Sequence, residues 1–381
     1  MTDFDKTLDF IKGLYPNKNI INLHEPIFKG NEERYVVDAI KSTYISSFGK
    51  YVDKFEKSIE TITGTKSAVA IVNGTSALQI ALKLAGVNSD DEVITQSLTF
   101  VATVNSIMYL DAKPVFIDVD KDTMGMSPES LKDFLDKNCH IINNQAYNKI
   151  TGKKISACLP MHTFGFICRI DEIVDICNDW MIPVVEDAAE ALGSCYKGKS
   201  AGSFGKISTF SFNGNKIVTS GGGGAIVTND VNLGKRAKHL TTTAKKPHKW
   251  EYIHDEVGYN FRMPNLNAAI VNGQIENLDK MIICKKKLYN EYLSFFNKTN
   301  INLVPIPKNV NWNFWLISII LKDKNERDSF LNFTNENSIN TRPIWRLMHK
   351  LPMFNKFQKN NLYNSEFLYE RVVNIPSSAR L

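Results

Sequence analysis

Three stretches of this sequence carry residue types that do chemistry when brought together. The first is Val72-Asn73-Gly74-Thr75-Ser76-Ala77, which follows an apolar run and opens a helical pattern. A helix N-terminus presents free N–H groups and partial positive charge, and small hydroxyl residues there add donors. Such a turn can cradle a phosphate or serve as a plain helix cap; it matches neither G-x-x-x-x-G-K-[ST] nor G-x-G-x-x-G. The second is Val184-Val185-Glu186-Asp187-Ala188-Ala189-Glu190. An acid at the end of a buried strand is costly unless paired, so Asp187 can meet a cationic ligand nitrogen, bind a metal or cap the next helix. The third is Ser211-Phe212-Asn213-Gly214-Asn215-Lys216, followed by Gly221-Gly222-Gly223-Gly224. Four consecutive glycines let a backbone approach something closely. A lysine in such a place can act as a nucleophile, although most lysines are simply solvated.

Taken together, a phosphate cradle, an acid for a ring nitrogen and a nucleophilic lysine are what a pyridoxal-phosphate enzyme requires. The order Thr/Ser, then Asp, then Lys 29 residues later fits an aspartate-aminotransferase-like architecture.

The elements that must position these residues alternate. Strands are predicted at 68–72, 92–95, 114–118, 154–160 and 182–186, with helices at 76–85, 100–110 and 171–180 between them. A further helix opens at Ser127-Pro128-Glu129, with Ser as cap and Pro at the first helical position. Near-continuous apolar strands separated by helices imply a mostly parallel sheet covered on both faces, with ligands at the carboxyl ends of its strands. Residues 137–153 read as an irregular polar insertion. A long helical pattern runs from Leu266 to about Phe296, followed by short strands near 315–321 and a polar helix near 325–335. The predicted organisation is an α/β chain: residues 1–20 as an N-terminal extension, 21–255 as a large domain, and 256–381 as a small C-terminal α+β domain.

Six ordered motifs carry a resemblance. They are Tyr44-Ile45-Ser46-Ser47-Phe48-Gly49, Asn73-Gly74-Thr75-Ser76-Ala77-Leu78, Thr99-Phe100-Val101-Ala102-Thr103, Glu186-Asp187-Ala188-Ala189-Glu190, Ser211-Phe212-Asn213-Gly214-Asn215-Lys216 and Gly258-Tyr259-Asn260-Phe261-Arg262-Met263. The chain resembles the DegT/DnrJ/EryC1/StrS sugar aminotransferases, from Ile21 to about Ser377. The resemblance implies fold type I, with pyridoxal 5′-phosphate as cofactor and a pyridoxamine form within the cycle. It implies Lys216 as the Schiff-base lysine, Asp187 on the pyridine nitrogen and Phe100 on the ring face. Gly74, Thr75, Ser76 and Ser211 would bind the phosphate, and Asn260 would reach it from the neighbouring subunit of a homodimer. Glu190, where many members have His or Gln, would contact the cofactor or substrate or cap its helix. Tyr44, Ile45, Arg342 and Trp345 would touch the sugar nucleotide.

Thr241-Thr242-Thr243-Ala244-Lys245, Pro247-His248 and Thr341-Arg342-Pro343-Ile344-Trp345 resemble a narrower branch. That branch makes the 4-amino group of a UDP-linked 4,6-dideoxy-N-acetylhexosamine, on the bacillosamine and legionaminic acid routes, with glutamate as donor. Alternatives are a 3- or 4-aminotransferase for dTDP- or GDP-linked keto sugars, or a non-catalytic regulator of this fold. The related 3-dehydratases carry histidine in place of the lysine, so Lys216 favours transamination. The resemblance also leads one to expect a final helix after Pro376-Ser377-Ser378, where this sequence runs only to Leu381.

Composition bounds these readings. The 381 residues are 43% apolar and 23% charged, which excludes a disordered chain and suits one large domain with a smaller partner. A net charge of +6 is too dilute to argue for nucleic acid. No run reaches the ~20 apolar residues of a membrane span, and the N-terminus is not a signal peptide. The six cysteines lack metal-ligand spacing, so no metal is expected and a reduced, cytoplasmic protein is.

Overall fold

The computed structural model describes residues 2–381. Seven strands build the main sheet: β1 (Ser67–Ile71), β2 (Glu92–Gln96), β3 (Lys113–Ile117), β4 (Ile155–Leu159), β5 (Val185–Asp187), β6 (Ile207–Ser211) and β7 (Gly224–Thr228). Their spatial order is β1-β7-β6-β5-β4-β2-β3. Single bridges at Cys158–Val184 and Met161–Asp187 join β4 to β5. All neighbours run parallel except β7, which is antiparallel to both β1 and β6. All five residues of β2, β4 and β7 are buried, as strands covered on both faces should be.

Among the described residues, twelve α-helices surround this sheet and a smaller one: α1 (Asp3–Leu14), α2 (Glu32–Lys41), α3 (Lys50–Thr63), α4 (Gly74–Ala85), α5 (Val101–Met108), α6 (Pro128–Asn138), α7 (Ile170–Asp179), α8 (Val231–Thr241), α9 (Asn265–Ile275), α10 (Leu278–Phe296), α11 (Lys324–Glu336) and α12 (Tyr363–Tyr369). The strands read from the sequence between 68 and 186, and the helices between them, lie within a few residues of those observed. The cap chemistry is as expected for α6, where the Ser127 side chain accepts from the Ser130 N–H ahead of Pro128. Gly86, at φ +102°, ends α4.

The small sheet has β8 (Asn302–Leu303), β9 (Ser318–Ile320), β10 (Arg342–Pro343) and β11 (Val372–Asn374), in the order β8-β9-β11-β10, all antiparallel. The N-terminal segment, read from sequence as an extension, packs here. Phe4 meets Phe330 of α11 edge-on at 5.2 Å, and Phe10 stacks on Phe295 of α10 at 4.2 Å. Residues 256–275, read as small-domain, lie instead against the large one. The Val72 N–H donates to the Phe261 carbonyl at 2.8 Å, and Asn272 Nδ2 on α9 donates to the Tyr51 carbonyl at 2.8 Å.

Two further local readings differ from the structure. The predicted irregular insertion is a hairpin, Cys139–Ile142 paired with Gln145–Asn148, turning at Asn143 and Asn144 with φ of +50° and +59°. Asparagine tolerates that left-handed turn, and the strands show no apolar–polar alternation, since Ile141 and Ile142 are adjacent and both exposed. The single long helix after Leu266 is two, α9 and α10, parted at Glu276-Asn277. α9 buries Ala268, Ala269 and Val271 beside α2 and α3, whereas α10 buries Leu288, Tyr292 and Phe296 in the small domain. No helix among the described residues is long and apolar enough to cross a membrane.

Candidate active site

β1 ends at Ile71 and α4 begins at Gly74. Between them, Asn73 Oδ1 accepts from the Ser76 N–H at 2.7 Å. The last residue of β6, Ser211, stands directly opposite. A Cβ on Gly74 would lie 2.9 Å from the Ser211 Cβ, and a Cβ on Gly224 would lie 2.6 Å from the Asn73 carbonyl carbon. Only glycine allows these approaches, which bring the N-terminus of α4 against the ends of β6 and β7. Gly74 and Ser211 therefore pack together at one corner, with Thr75 and Ser76 beside them in the first turn of α4.

β5 delivers two acids with different work. Glu186 accepts from His162 Nε2, the N–H groups of Gly202, Phe204 and Gly205, and the Ser208 hydroxyl, at 2.6–3.0 Å. Burial pushes its carboxyl up, but His162 and the loop N–H groups outweigh this and hold it low. Asp187 has fewer partners: Thr103 Oγ1 donates to Oδ2 at 2.8 Å and the Ala189 N–H to Oδ1 at 3.2 Å. Burial raises its carboxyl, and Thr103, Ala189 and the charge of Lys216 offset only part of that.

Lys216 extends from the loop after β6. Its Nζ donates to Glu190 Oε1 at 3.1 Å and lies 4.2 Å from the centroid of the Trp315 ring. Glu190 Oε2 accepts from the Phe164 N–H at 2.8 Å. Burial pushes the Glu190 carboxyl up to about 7, against the opposing pull of Lys216 and the Phe164 N–H. Phe164 is a strained residue, with φ +54°, pinned from the other side by Trp312 Nε1 donating to its carbonyl at 2.8 Å. Its ring lies 4.9 Å from that of Trp345, which meets Phe100 at 6.2 Å. Phe100 is half exposed, at the mouth of this aromatic corner.

Lys216, Asp187 and Glu190 thus converge as one electrostatically coupled group, and Trp345 reaches it through Phe164. Tyr44, Ile45, Asn260 and Arg342 make no contact with that group in this chain. Tyr44 and Ile45 are exposed, with the Tyr44 carbonyl accepting from Asn265 Nδ2 at 2.6 Å. Asn260 is exposed, and its Oδ1 accepts from Arg262 Nε at 2.9 Å. Arg342 donates to Asn335 Oδ1 at the edge of the small sheet, at 2.8 Å. A separate basic cleft of about 780 Å³ opens beside the Ser46–Gly49 turn, with Lys238, Lys245, Lys246, His248 and Arg262 on its walls.

Sequence reasoning missed Thr103, Phe164, Asn313 and Trp315. Thr103 lay inside a quoted motif without a role. The others come from segments with no local signature and meet Glu190 and Lys216 only through the fold.

A family model for the DegT/DnrJ/EryC1/StrS aminotransferases matches residues 26–381. The chain is 38% identical to the GDP-perosamine synthase of Escherichia coli O157:H7, over 94% of this chain and 93% of that protein. It is 36% identical to the GDP-perosamine synthase of Vibrio cholerae, over 94% of each. Among solved structures, the aminotransferase TlmJ from Streptoalloteichus hindustanus superposes with a TM-score of 0.85 at 22% identity, covering 94% of this chain and 93% of that one. The fold is that of these aminotransferases, and the chain belongs to the DegT/DnrJ/EryC1/StrS family of pyridoxal-phosphate-dependent sugar aminotransferases.

Proposed function

We propose that this enzyme moves an amino group from glutamate to C4 of a nucleotide-linked 4-keto-6-deoxyhexose. The observation that carries the reading is the convergence of Lys216, Glu190 and Asp187 beside the Gly74–Ser76 corner. The residues present fit the cofactor. The corner at the N-terminus of α4 suits a phosphate, since Gly74, lacking a Cβ, lets the Ser211 hydroxyl close against the first turn of the helix. Asp187, buried and short of partners, suits a protonated ring nitrogen, and Lys216 Nζ, held by Glu190 at 3.1 Å, supplies an amine for covalent linkage. Phe100 at the mouth offers a ring face. When bound, the cofactor supplies an electron sink that lets the bonds at the amine-bearing carbon be made and broken.

The chain's own residues do the rest. Asp187 holds the cofactor's orientation by pairing charge at a buried position. Lys216 Nζ, once released, takes and returns the proton at C4 of the sugar. Glu190 keeps the amine of Lys216 within 3.1 Å of its carboxylate, so the base does not wander between half-reactions. Phe164 and Trp345 wall the site with aromatic surface.

For the sugar nucleotide, a UDP-linked 2-acetamido-4-keto-6-deoxyhexose is supported by the branch motifs around Thr241–Lys245 and Thr341–Trp345. A GDP-linked 4-keto-6-deoxyhexose is the second reading, favoured by two relatives named GDP-perosamine synthase. Asn260 and the basic cleft are assigned to the active site of a second copy, which gives a homodimer with shared sites. A nucleotide-sugar substrate and reduced cysteines suit the cytoplasm.

The test is incubation with glutamate and each keto sugar, read by mass spectrometry. An amino sugar from the UDP-linked substrate alone supports the first reading, from the GDP-linked one alone the second. Product from neither removes both. Lys216→Ala is expected to lose the cofactor's lysine-bound absorbance band and turnover; retention of both would remove the catalytic assignment.

A further inference from the structure

The indole of Trp315 grips Lys216 at both ends. Its ring face lies 4.2 Å from Nζ, while its Nε1 donates to the carbonyl of Asn215, the peptide next to the lysine, at 2.8 Å. Trp315 is itself fixed by Asn313. Its backbone N–H donates to Asn313 Oδ1 at 3.0 Å. Asn313 Nδ2 in turn donates to the carbonyls of Glu190 and Leu192 at 2.8 and 3.0 Å. Since Glu190 Oε1 accepts from Lys216, the contacts close a ring: Glu190, Lys216, Trp315, Asn313 and back to Glu190. Gly165, at φ +89°, leaves room for it, because a Cβ there would lie 2.3 Å from Asn313 Oδ1. Trp315 is 3% exposed and Asn313 fully buried.

We propose that Trp315 is a positioning residue for Lys216, holding the amine beside Glu190 whenever it is not bonded to the cofactor. The inference rests on the assignment of Lys216 as the cofactor-binding lysine. A lysine has four flexible bonds, and a free amine that must return a proton to one carbon gains from being held. The face of an indole attracts an ammonium, most strongly where water is excluded. The charged and titratable groups facing Lys216 are Glu190, Asp187 and His24, with Lys285 behind His24. The two carboxyls also favour the ammonium, so the effect of the ring is read as a difference between variants rather than as an absolute value.

The experiment compares Trp315→Leu, which loses ring face and donor, with Trp315→Phe, which keeps a face. The leucine variant is expected to lose about tenfold or more in kcat, with KM for the sugar nucleotide within about twofold. The phenylalanine variant should recover most of that loss. In cofactor-free protein, attachment of pyridoxal phosphate is followed by absorbance against pH. The leucine profile should move to lower pH, because the ammonium has lost its π face. If that variant does not fold, as judged by melting, Trp315→His supplies the comparison. Lys216→Ala separates the two claims: a lysine-bound band surviving in it sinks the assignment of Lys216. With that control behaving as expected, an unmoved pH profile and unchanged kcat at position 315 overturn the role of Trp315. A raised KM with kcat intact overturns it equally.

Discussion

Glu190 is a carboxyl that burial drives upward and a lysine pulls back. Its ordinary value is near 4.5, and in the fold it stands at about 7. A group raised on folding contributes stability below its unfolded pKa and loses it as pH climbs through the folded one. Cofactor-free enzyme is therefore expected to weaken between about pH 4.5 and 7, by up to about 3 kcal/mol from this group. Glu190→Gln should remove that part of the slope, which melting curves of parent and variant at pH 5 and 8 would check. A parallel slope in both would place the pH dependence elsewhere. Lys216 and Asp187 were legible in the sequence because each sits in a short motif at a strand end. Trp315 was not, because its partner is Asn215, some hundred residues away, and nothing local to Asn313-Phe314-Trp315 announces that contact. The role of Glu186 was equally hidden. It adjoins Asp187 in the sequence, but its oxygens are saturated by a loop and His162, which leaves Asp187 as the acid with capacity to spare.

Among the elements, the decisive approach is that of α4 to β6. The 2.9 Å separation between a Cβ at position 74 and the Ser211 Cβ means Gly74→Ala must push the helix start off the strand end. Overpacking of this kind costs about 1–3 kcal/mol. With Gly74 proposed to hold the cofactor's phosphate, the loss is expected to fall on cofactor retention. We expect at least about tenfold weaker binding in a dialysis or spectral titration, with melting of the cofactor-free form little changed. A large drop in that melting temperature and normal retention would show the corner to be structural. The buried parallel strands and their helices were readable because a strand covered on both faces must be apolar throughout. The hairpin at 139–148 was not, since two short strands with adjacent exposed isoleucines leave no periodic signal. The break between α9 and α10 was hidden because both helices bury one side, and only their different neighbours force the chain to turn.

For the whole molecule, the sites left unconnected in one chain matter most. Asn260, Tyr44, Ile45 and the basic cleft stand apart from Lys216, which is why the dimer with shared sites is proposed. It predicts complementation. Lys216→Ala and Asn260→Ala proteins, each nearly inactive, should regain turnover when mixed and allowed to exchange subunits, because one of the two sites in a mixed pair is intact. No recovery under conditions of proven exchange would place both residues in one chain's site. Domain limits were only partly visible at this scale. Residues 256–275 follow the large domain because the Phe261 carbonyl bonds to Val72 and α9 to Tyr51, contacts that composition does not foretell.

The docking of α1 on α10 and α11 has a consequence for how the protein is made. Phe4 and Phe10 leave the ribosome long before Phe295 and Phe330, the rings they pack against, have been synthesised. Through most of translation this amphipathic helix has no surface to cover it, and it is a natural point of capture by chaperones. Completion of the small domain then gathers the earliest helix with some of the latest, and slow or interrupted synthesis of the last third of the chain leaves two aromatic rings exposed at its start.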